Sequence, residues 1–156
     1  AEGIAHANRL IASDSSDGLF VTLFYAEVDP VTAELIYVNA GHNPPIYIHQ
    51  TGSGQVQITN LDRTGIALGV ITEAEFHTKS LSMSSGDILL MYTDGVTDAI
   101  NPQGDRYDKH SLHDVLLNHS SKPAGSIASE TINSLQNFAG DRDPYDDITY
   151  IILKRK

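Results

Sequence analysis

Two aspartates lie in short motifs whose residue types suit the binding of a divalent metal ion. Asp94 lies within Met91-Tyr92-Thr93-Asp94-Gly95-Val96, and Asp146 begins Asp146-Asp147-Ile148-Thr149. Carboxylate oxygens are the ligands that Mg²⁺ and Mn²⁺ prefer. Two facing carboxylates also repel each other unless a cation lies between them. The pair therefore indicates a Mn²⁺ or Mg²⁺ site, provided that the fold brings the two side chains together.

The sequence next to each aspartate predicts a β-strand. The run Ile88-Leu89-Leu90-Met91-Tyr92 is continuously apolar, which is typical of a central strand, and Asp94 follows it closely. A last strand is predicted over residues 148–153, directly after Asp146 and Asp147. In an antiparallel pair the start of one strand lies next to the end of the other, so this pairing would bring Asp146 close to Asp94. On the alternative hypothesis both acids simply close turns, and the pattern alone leaves the two hypotheses open.

The remaining hydrophobic pattern predicts a helix, a meander of strands and then two helices before the last strand. The first helix covers Ala1 to Ala12, and the later two are indicated by apolar residues at helical spacing over 112–119 and 127–138. The additional strands are predicted over Leu19–Val28, Leu35–Val38, Ile46–Ile48, Val56–Ile58 and Phe76–Met83. The first of these is apolar on both alternating faces, so we expect both faces to be covered. Segregation of strands and helices in this way indicates an α+β domain with one sheet, or two stacked sheets, flanked by helices.

Composition limits the classes of function. The 156 residues suit one domain, and 40% hydrophobic with 19% charged residues is ordinary for a globular protein. The chain has no cysteine, which excludes disulfides and thiolate chemistry. A net charge of −10 argues against a surface for nucleic acid or for anionic membranes. No apolar run approaches the roughly 20 residues of a membrane span and no signal peptide is visible, so we expect no membrane insertion and a cytoplasmic location.

Six motifs follow one another along the chain in a recognisable order. They are Phe20-Val21-Thr22-Leu23-Phe24-Tyr25-Ala26, Tyr37-Val38-Asn39-Ala40-Gly41-His42-Asn43-Pro44-Pro45, Ala67-Leu68-Gly69, Ser85-Gly86-Asp87, Tyr92-Thr93-Asp94-Gly95-Val96-Thr97-Asp98-Ala99 and Asp146-Asp147-Ile148-Thr149. Together they resemble the SpoIIE-type branch of the metal-dependent type 2C protein phosphatases, the PPM family. The resemblance implies a β-sandwich of antiparallel sheets flanked by helices, with two Mn²⁺ or Mg²⁺ ions. It also implies that Asp94 and Asp146 are metal ligands for two-metal hydrolysis, in which water attacks the phosphorus of phosphoserine or phosphothreonine.

Other residues near these motifs are further candidates for the site. Gly95, next to Asp94, is one candidate for the metal. Asp98 lies four residues after Asp94 and could extend the acidic site, and Asp147 could orient Asp146 or bind metal through water. No substrate-binding residue is assigned.

The histidines and arginines that could serve the site have simpler explanations. His42 is better explained as a residue that fixes a turn through hydrogen bonds than as a catalyst. Arg63 and Arg106 could contact a substrate phosphate, but surface salt bridges are the simpler account. His110 and His113 lie three apart on a predicted helix, a spacing that permits chelation but is more typical of a solvated face.

The resemblance also implies N-terminal motifs that residues 1–156 lack. Family members carry, upstream of the helix that opens this chain, a Gly-Asp-x-x-Asp-type and an Asp-x-x-Gly-His-Gly-type motif that supply further metal ligands. Neither motif is present here, so we expect a serine/threonine phosphatase domain that lacks its N-terminal strands and first helix, and that can be inactive as residues 1–156 alone. The resemblance implies bacterial signalling through sigma-factor partner switching, a phosphorylated anti-sigma-factor antagonist as protein substrate, and a sensor or regulatory domain upstream.

Two alternatives remain open at this stage. One is a catalytically inactive phosphatase-like module that binds the same type of partner. The other is a structural domain without metal, in which Asp94 and Asp146 only close turns.

Overall fold

A computed structural model describes residues 1–14, 18–52, 55–142 and 146–156. In chain order the elements are α1 (Glu2–Asp14), β1 (Leu23–Val28), β2 (Glu34–Ala40), β3 (Ile46–Gln50), β4 (Val56–Asn60), β5 (Lys79–Ser82), β6 (Ile88–Tyr92), α2 (Asp94–Thr97), α3 (Lys109–Asn118), α4 (Ala124–Ala139) and β7 (Tyr150–Lys154). They fall into two units, residues 1–44 with 61–83 and residues 45–60 with 84–156. The predicted α+β class, with antiparallel sheets flanked by helices, is confirmed. Among the described residues, no helix is long and apolar enough to cross a membrane.

The first unit contains a three-stranded antiparallel sheet in the order β1-β2-β5. Its small core gathers Val38, Leu68 and Phe76, and α1 packs on this core through Ile4 and Ile11. These two residues are seven apart and therefore lie on one face of the helix, as the predicted first helix requires. The first helix is thus confirmed, with bounds slightly later than predicted.

A fully buried asparagine ties α1 to a neighbouring loop in the same unit. Asn8 donates from Nδ2 to the carbonyl oxygens of Ile71 and Thr72, each at 2.9 Å, and its Oδ1 accepts from the Gly69 amide at 2.9 Å. Buried amide groups are stable only when their donors and acceptors are satisfied. This side chain meets that condition and fixes the position of the loop.

The prediction for the first strand is wrong in extent and in burial. The strand begins at Leu23 instead of Leu19, and the side chains of Leu19 and Phe20 are 69% and 62% exposed. Residues 19–21 are not in the ladder; only Val21 is paired, through two backbone hydrogen bonds with Leu68. β1 is also an edge strand of its sheet, so an apolar pattern on both faces did not mean cover on both faces.

The second unit contains a four-stranded antiparallel sheet in the order β4-β3-β6-β7. Ile88, Leu89 and Leu90 of β6 are fully buried, which confirms the predicted central strand. One face of β6 packs against α3 and α4 in a core that includes Leu116 and Leu135. The two predicted helices therefore pack into a common core, as expected.

The last strand begins later than predicted. β7 starts at Tyr150 instead of Ile148, so Asp146 lies four residues before the strand. Likewise β5 is confined to Lys79–Ser82 within the longer predicted run. Just before β7, the Thr149 carbonyl oxygen still accepts from the Thr93 amide, but the Thr149 amide donates to the Thr93 hydroxyl instead of to a backbone carbonyl, which explains the shorter strand.

Candidate metal site at the end of β6

Asp94 occupies the turn between the central strand and a short helix. β6 ends at Tyr92, Thr93 is the N-cap residue of α2, and Asp94 is the first residue of that helix. β6 and β7 pair antiparallel, with Tyr92 opposite Tyr150 at the last position of the ladder. The end of β6 therefore lies beside the start of β7, and the sequence-based expectation for this pairing is confirmed.

Gly95 brings the two aspartate motifs into backbone contact. A Cβ atom built on Gly95 would lie 2.4 Å from the carbonyl oxygen of Asp147 and 3.2 Å from that of Asp146. No real side chain tolerates the shorter distance, so the close approach itself requires glycine. The structure thus places the Asp94-Gly95 turn directly against the Asp146-Asp147 segment. From the sequence, Gly95 is a candidate for the metal, and that stays a prediction; the contact gives a separate, steric reason for glycine at this position.

Thr93 forms the hydrogen bonds between these two segments. Its amide donates to the carbonyl oxygen of Thr149 at 2.9 Å. Its hydroxyl lies 3.0 Å from the carbonyl oxygen of Asp147 and 3.3 Å from that of Thr149, and accepts from the Thr149 amide at 3.0 Å. Sequence reasoning missed this residue. Its only signal was a threonine immediately before the Asp-Gly pair.

The two principal carboxylates are open to solvent. Asp94 and Asp146 are both exposed. The Asp146 Oδ1 atom accepts from the Asp147 amide at 2.7 Å, which fixes the direction of this carboxylate. Within the described part of the chain, the Asp94 carboxylate forms no hydrogen bond or ion pair. Both groups therefore remain available to a cation at this end of the sheet.

The other predicted ligands are placed differently. Asp98 contacts Arg106, whose Nη1 lies 3.2 Å from Asp98 Oδ1, and this pair matches the salt-bridge account of Arg106. Asp147 is exposed beside Asp146, and its carbonyl oxygen accepts from Thr93. Across residues 1–14, 18–52, 55–142 and 146–156, no group of three or more histidine or acidic side chains is arranged to hold a metal ion. The described residues thus contribute one pair of neighbouring acidic motifs.

His42 has the structural role that its sequence context indicated. Its amide donates to Asn39 Oδ1 at 2.9 Å, and its Nδ1 lies 3.1 Å from the Thr22 hydroxyl. Asn39 is itself fully buried and donates from Nδ2 to the Leu61 carbonyl oxygen. His42 therefore belongs to the hydrogen-bonded turn after β2.

Comparison with known sequences gives one consistent family. The model of the Stage II sporulation protein E (SpoIIE) family matches residues 1–156. Protein IcfG of Synechocystis sp. is 33% identical over 152 residues, which are 95% of this chain and 23% of that protein. The phosphoserine phosphatase RsbP of Bacillus subtilis is 30% identical over 151 residues, 97% of this chain and 35% of RsbP. The phosphoserine phosphatase RsbU of B. subtilis is 25% identical over 153 residues, 98% of this chain and 44% of RsbU. The chain spans less than half the length of each of these relatives.

Solved structures show the same fold. The SiaA-PP2C domain of Pseudomonas aeruginosa superposes with a TM-score of 0.80 at 18% identity, covering 98% of this chain and 59% of that one. The phosphatase domain of the cell fate determinant SpoIIE from B. subtilis, presoaked with Mn, has a TM-score of 0.63 at 18% identity. The match covers 99% of this chain and 65% of that one. RsbX in complex with magnesium has a TM-score of 0.59 at 19% identity, and the match covers 96% of this chain and 61% of that one. The type 2C phosphatase-like fold predicted from the motifs is confirmed.

Proposed function

Because this chain belongs to the SpoIIE family of PPM-type phosphatase domains, we propose that it catalyses metal-dependent hydrolysis of phosphoserine or phosphothreonine in a protein substrate. The observation that carries the proposal is the backbone contact between the Asp94-Gly95 turn and the Asp146-Asp147 segment. This contact puts two solvent-exposed acidic motifs at one end of a rigid, buried strand. A ligand that directly follows such a strand, as Asp94 does, is held more precisely than a ligand on a free loop.

Asp94 and Asp146 are the residues that would hold Mn²⁺ or Mg²⁺. The donor set fits such ions, since both side chains offer only carboxylate oxygens and neither lies in an ion pair within the described residues. Asp147 would act through water, and Asp98 would support the site from its pair with Arg106. Remaining coordination positions fall to water and to groups beyond the described residues. Two solved structures of the same fold support the choice of ion, since one was presoaked with Mn and the other is in complex with magnesium.

The proposed chemistry uses water as the nucleophile. Bound divalent ions lower the pKa of water and neutralise charge on a phosphoryl group. The chain's own contribution is to hold the two acidic motifs against each other through the backbone and to keep both aspartates exposed to an incoming phosphoprotein. A phosphocysteine intermediate is impossible because the chain has no cysteine.

The proposed substrate is a phosphorylated protein of bacterial signalling. RsbP and RsbU, which match nearly the whole chain, are named phosphoserine phosphatases. Together with the SpoIIE-type motifs, this supports a phosphorylated anti-sigma-factor antagonist as substrate, in the cytoplasm. The relatives' greater length supports a sensor or regulatory domain in the same protein.

A metal titration tests the proposal. Mn²⁺ is added while p-nitrophenyl phosphate hydrolysis is followed, with Asp94→Asn, Asp146→Asn and a control, Asp114→Asn, on the exposed face of α3. Any turnover by this chain should depend on Mn²⁺, be abolished by the first two substitutions and be unchanged by the third. Mn²⁺ at 100 times its Kd should also stabilise the fold by about 2.7 kcal/mol.

Two results would contradict the proposal in different ways. Binding of a phosphoprotein partner without turnover at any Mn²⁺ concentration would favour the catalytically inactive module. A melting temperature that millimolar Mn²⁺ leaves unchanged would exclude a metal role for Asp94 and Asp146 altogether.

A further inference from the structure

The hydroxyl of Thr93 connects the two halves of the candidate site. We propose that Thr93 is a positioning residue: its side chain holds the segment with Asp146 and Asp147 against the end of β6, so that Asp94 and Asp146 can share a cation. This inference rests on the proposed function, because it concerns how the same two ligands are placed. It assigns no direct contact between Thr93 and metal or substrate.

The Thr93 side chain does not cap its helix, although its position would ordinarily require that. A threonine at a helix N-cap normally accepts a hydrogen bond from a backbone amide of its own helix. Thr93 is the N-cap residue of α2, with an extended backbone at φ −84° and ψ 161°, yet its side chain makes no capping bond. The hydroxyl is instead directed to residues 147 and 149. The side chain therefore serves the contact between the segments and not the helix.

The Thr93 hydroxyl replaces a backbone acceptor where the β6–β7 ladder stops. Beyond the pair of Tyr92 with Tyr150, the Thr93 amide still donates to the Thr149 carbonyl oxygen, as in an antiparallel ladder. The Thr149 amide, however, donates to the Thr93 hydroxyl. The chain turns into α2 at this point, and the side chain takes over as acceptor. One residue thus extends the pairing up to the acidic segment.

Thr93 supplies the hydrogen bonds that hold this segment, while the side chain of Ile148 packs against the core of the unit. Among the described residues, every hydrogen bond that joins residues 146–149 to the rest of the protein ends on Thr93. The bond between the Asp147 amide and the Asp146 carboxylate is local to the segment. The contact at Gly95 limits how close the segments come but does not hold them together. Removal of the Thr93 hydroxyl should therefore loosen Asp146 and Asp147, although the bond from the Thr93 amide to Thr149 and the packing of Ile148 remain.

The test compares two substitutions at Thr93 with one elsewhere. Thr93→Val keeps the shape and removes the hydroxyl, whereas Thr93→Ser keeps the hydroxyl. The matched control is Thr64→Val in the first unit, where the hydroxyl accepts from the Asn39 amide at 2.9 Å. Isothermal titration calorimetry measures the Mn²⁺ affinity of each purified protein. We expect about a tenfold loss or more for Thr93→Val, near-normal affinity for Thr93→Ser, and no change for the control.

A second readout without metal separates this inference from the proposed function. Hydrogen exchange of the Thr149 amide should be about tenfold faster in Thr93→Val and normal in Thr93→Ser, while amides within β7 keep their protection. Unchanged exchange at Thr149, or unchanged Mn²⁺ affinity in Thr93→Val, would overturn the positioning role. If the unmodified protein binds no Mn²⁺, the proposed function fails, and the exchange result still decides whether Thr93 holds the segment.

Discussion

Replacement of Gly95 by alanine tests the closest contact in the candidate site. The new Cβ atom would lie 2.4 Å from the Asp147 carbonyl oxygen and 2.9 Å from its carbonyl carbon. Ordinary van der Waals contact begins at 3.4 Å, and both neighbours are backbone atoms that no rotamer change can move. The Asp146-Asp147 segment must therefore move away from Asp94 by about 1 Å.

The expected magnitudes differ sharply for stability and for activity. Overpacking of this kind costs about 1–3 kcal/mol, and alanine returns up to about 1 kcal/mol of helix propensity. The net loss of roughly 0–3 kcal/mol corresponds to a fall in Tm of at most about 12 °C for a chain of this size. A displacement of about 1 Å between catalytic groups, by contrast, can reduce the rate by about 100-fold. Gly95→Ala should thus remain folded and lose nearly all Mn²⁺-dependent hydrolysis.

The matched control is Gly125→Ala in α4, where a built Cβ atom meets nothing within 4 Å. This variant should gain up to about 1 kcal/mol and leave hydrolysis unchanged. Differential scanning calorimetry and the p-nitrophenyl phosphate assay, both over a Mn²⁺ series, measure the two quantities. If Gly95→Ala raises Tm as Gly125→Ala does and keeps full activity, the close approach is not the reason for glycine at this position.

Two further predictions concern stability. Asn8→Leu removes the three hydrogen bonds that join α1 to residues 69–72. Unfolding in urea should therefore show a free energy of unfolding that is lower by about 2–4 kcal/mol. A loss of less than about 1 kcal/mol would contradict the anchoring role. Burial, helped by the nearby charges of His110 and Lys109, lowers the pKa of His113 below its ordinary 6.5, and its Nε2 is buried without a partner among the described residues. Below pH 6.5 the unfolded chain binds a proton that the folded chain does not, so stability should fall as the pH drops from 6.5 toward the folded pKa. His113→Gln should reduce the difference between the urea midpoints at pH 7.5 and pH 5.5, and an equal difference in both proteins would count against this origin.

Much of the fold follows from local pattern. A continuous apolar run predicts β6, and apolar residues at helical spacing predict α3 and α4, because periodicity records which side chains face a core. The same reasoning failed at residues 19–21, where apolar side chains lie exposed beside an edge strand. Pattern shows that a segment is apolar, but the neighbours that cover it come from distant parts of the chain.

The features of the candidate site also divide into those that the sequence indicates and those that only the tertiary structure decides. Residue type, strand-end position and motif order identified Asp94 and Asp146, since carboxylates and their neighbours are visible in the sequence itself. Tertiary structure decided that Gly95 contacts Asp147, that Thr93 bonds to Thr149 instead of capping its helix, and that Asp98 pairs with Arg106. The first two contacts join segments more than 50 residues apart. Such contacts exist only because β6 and β7 pair side by side, and the free energy of that pairing comes from a core that all the strands and helices of the unit build together.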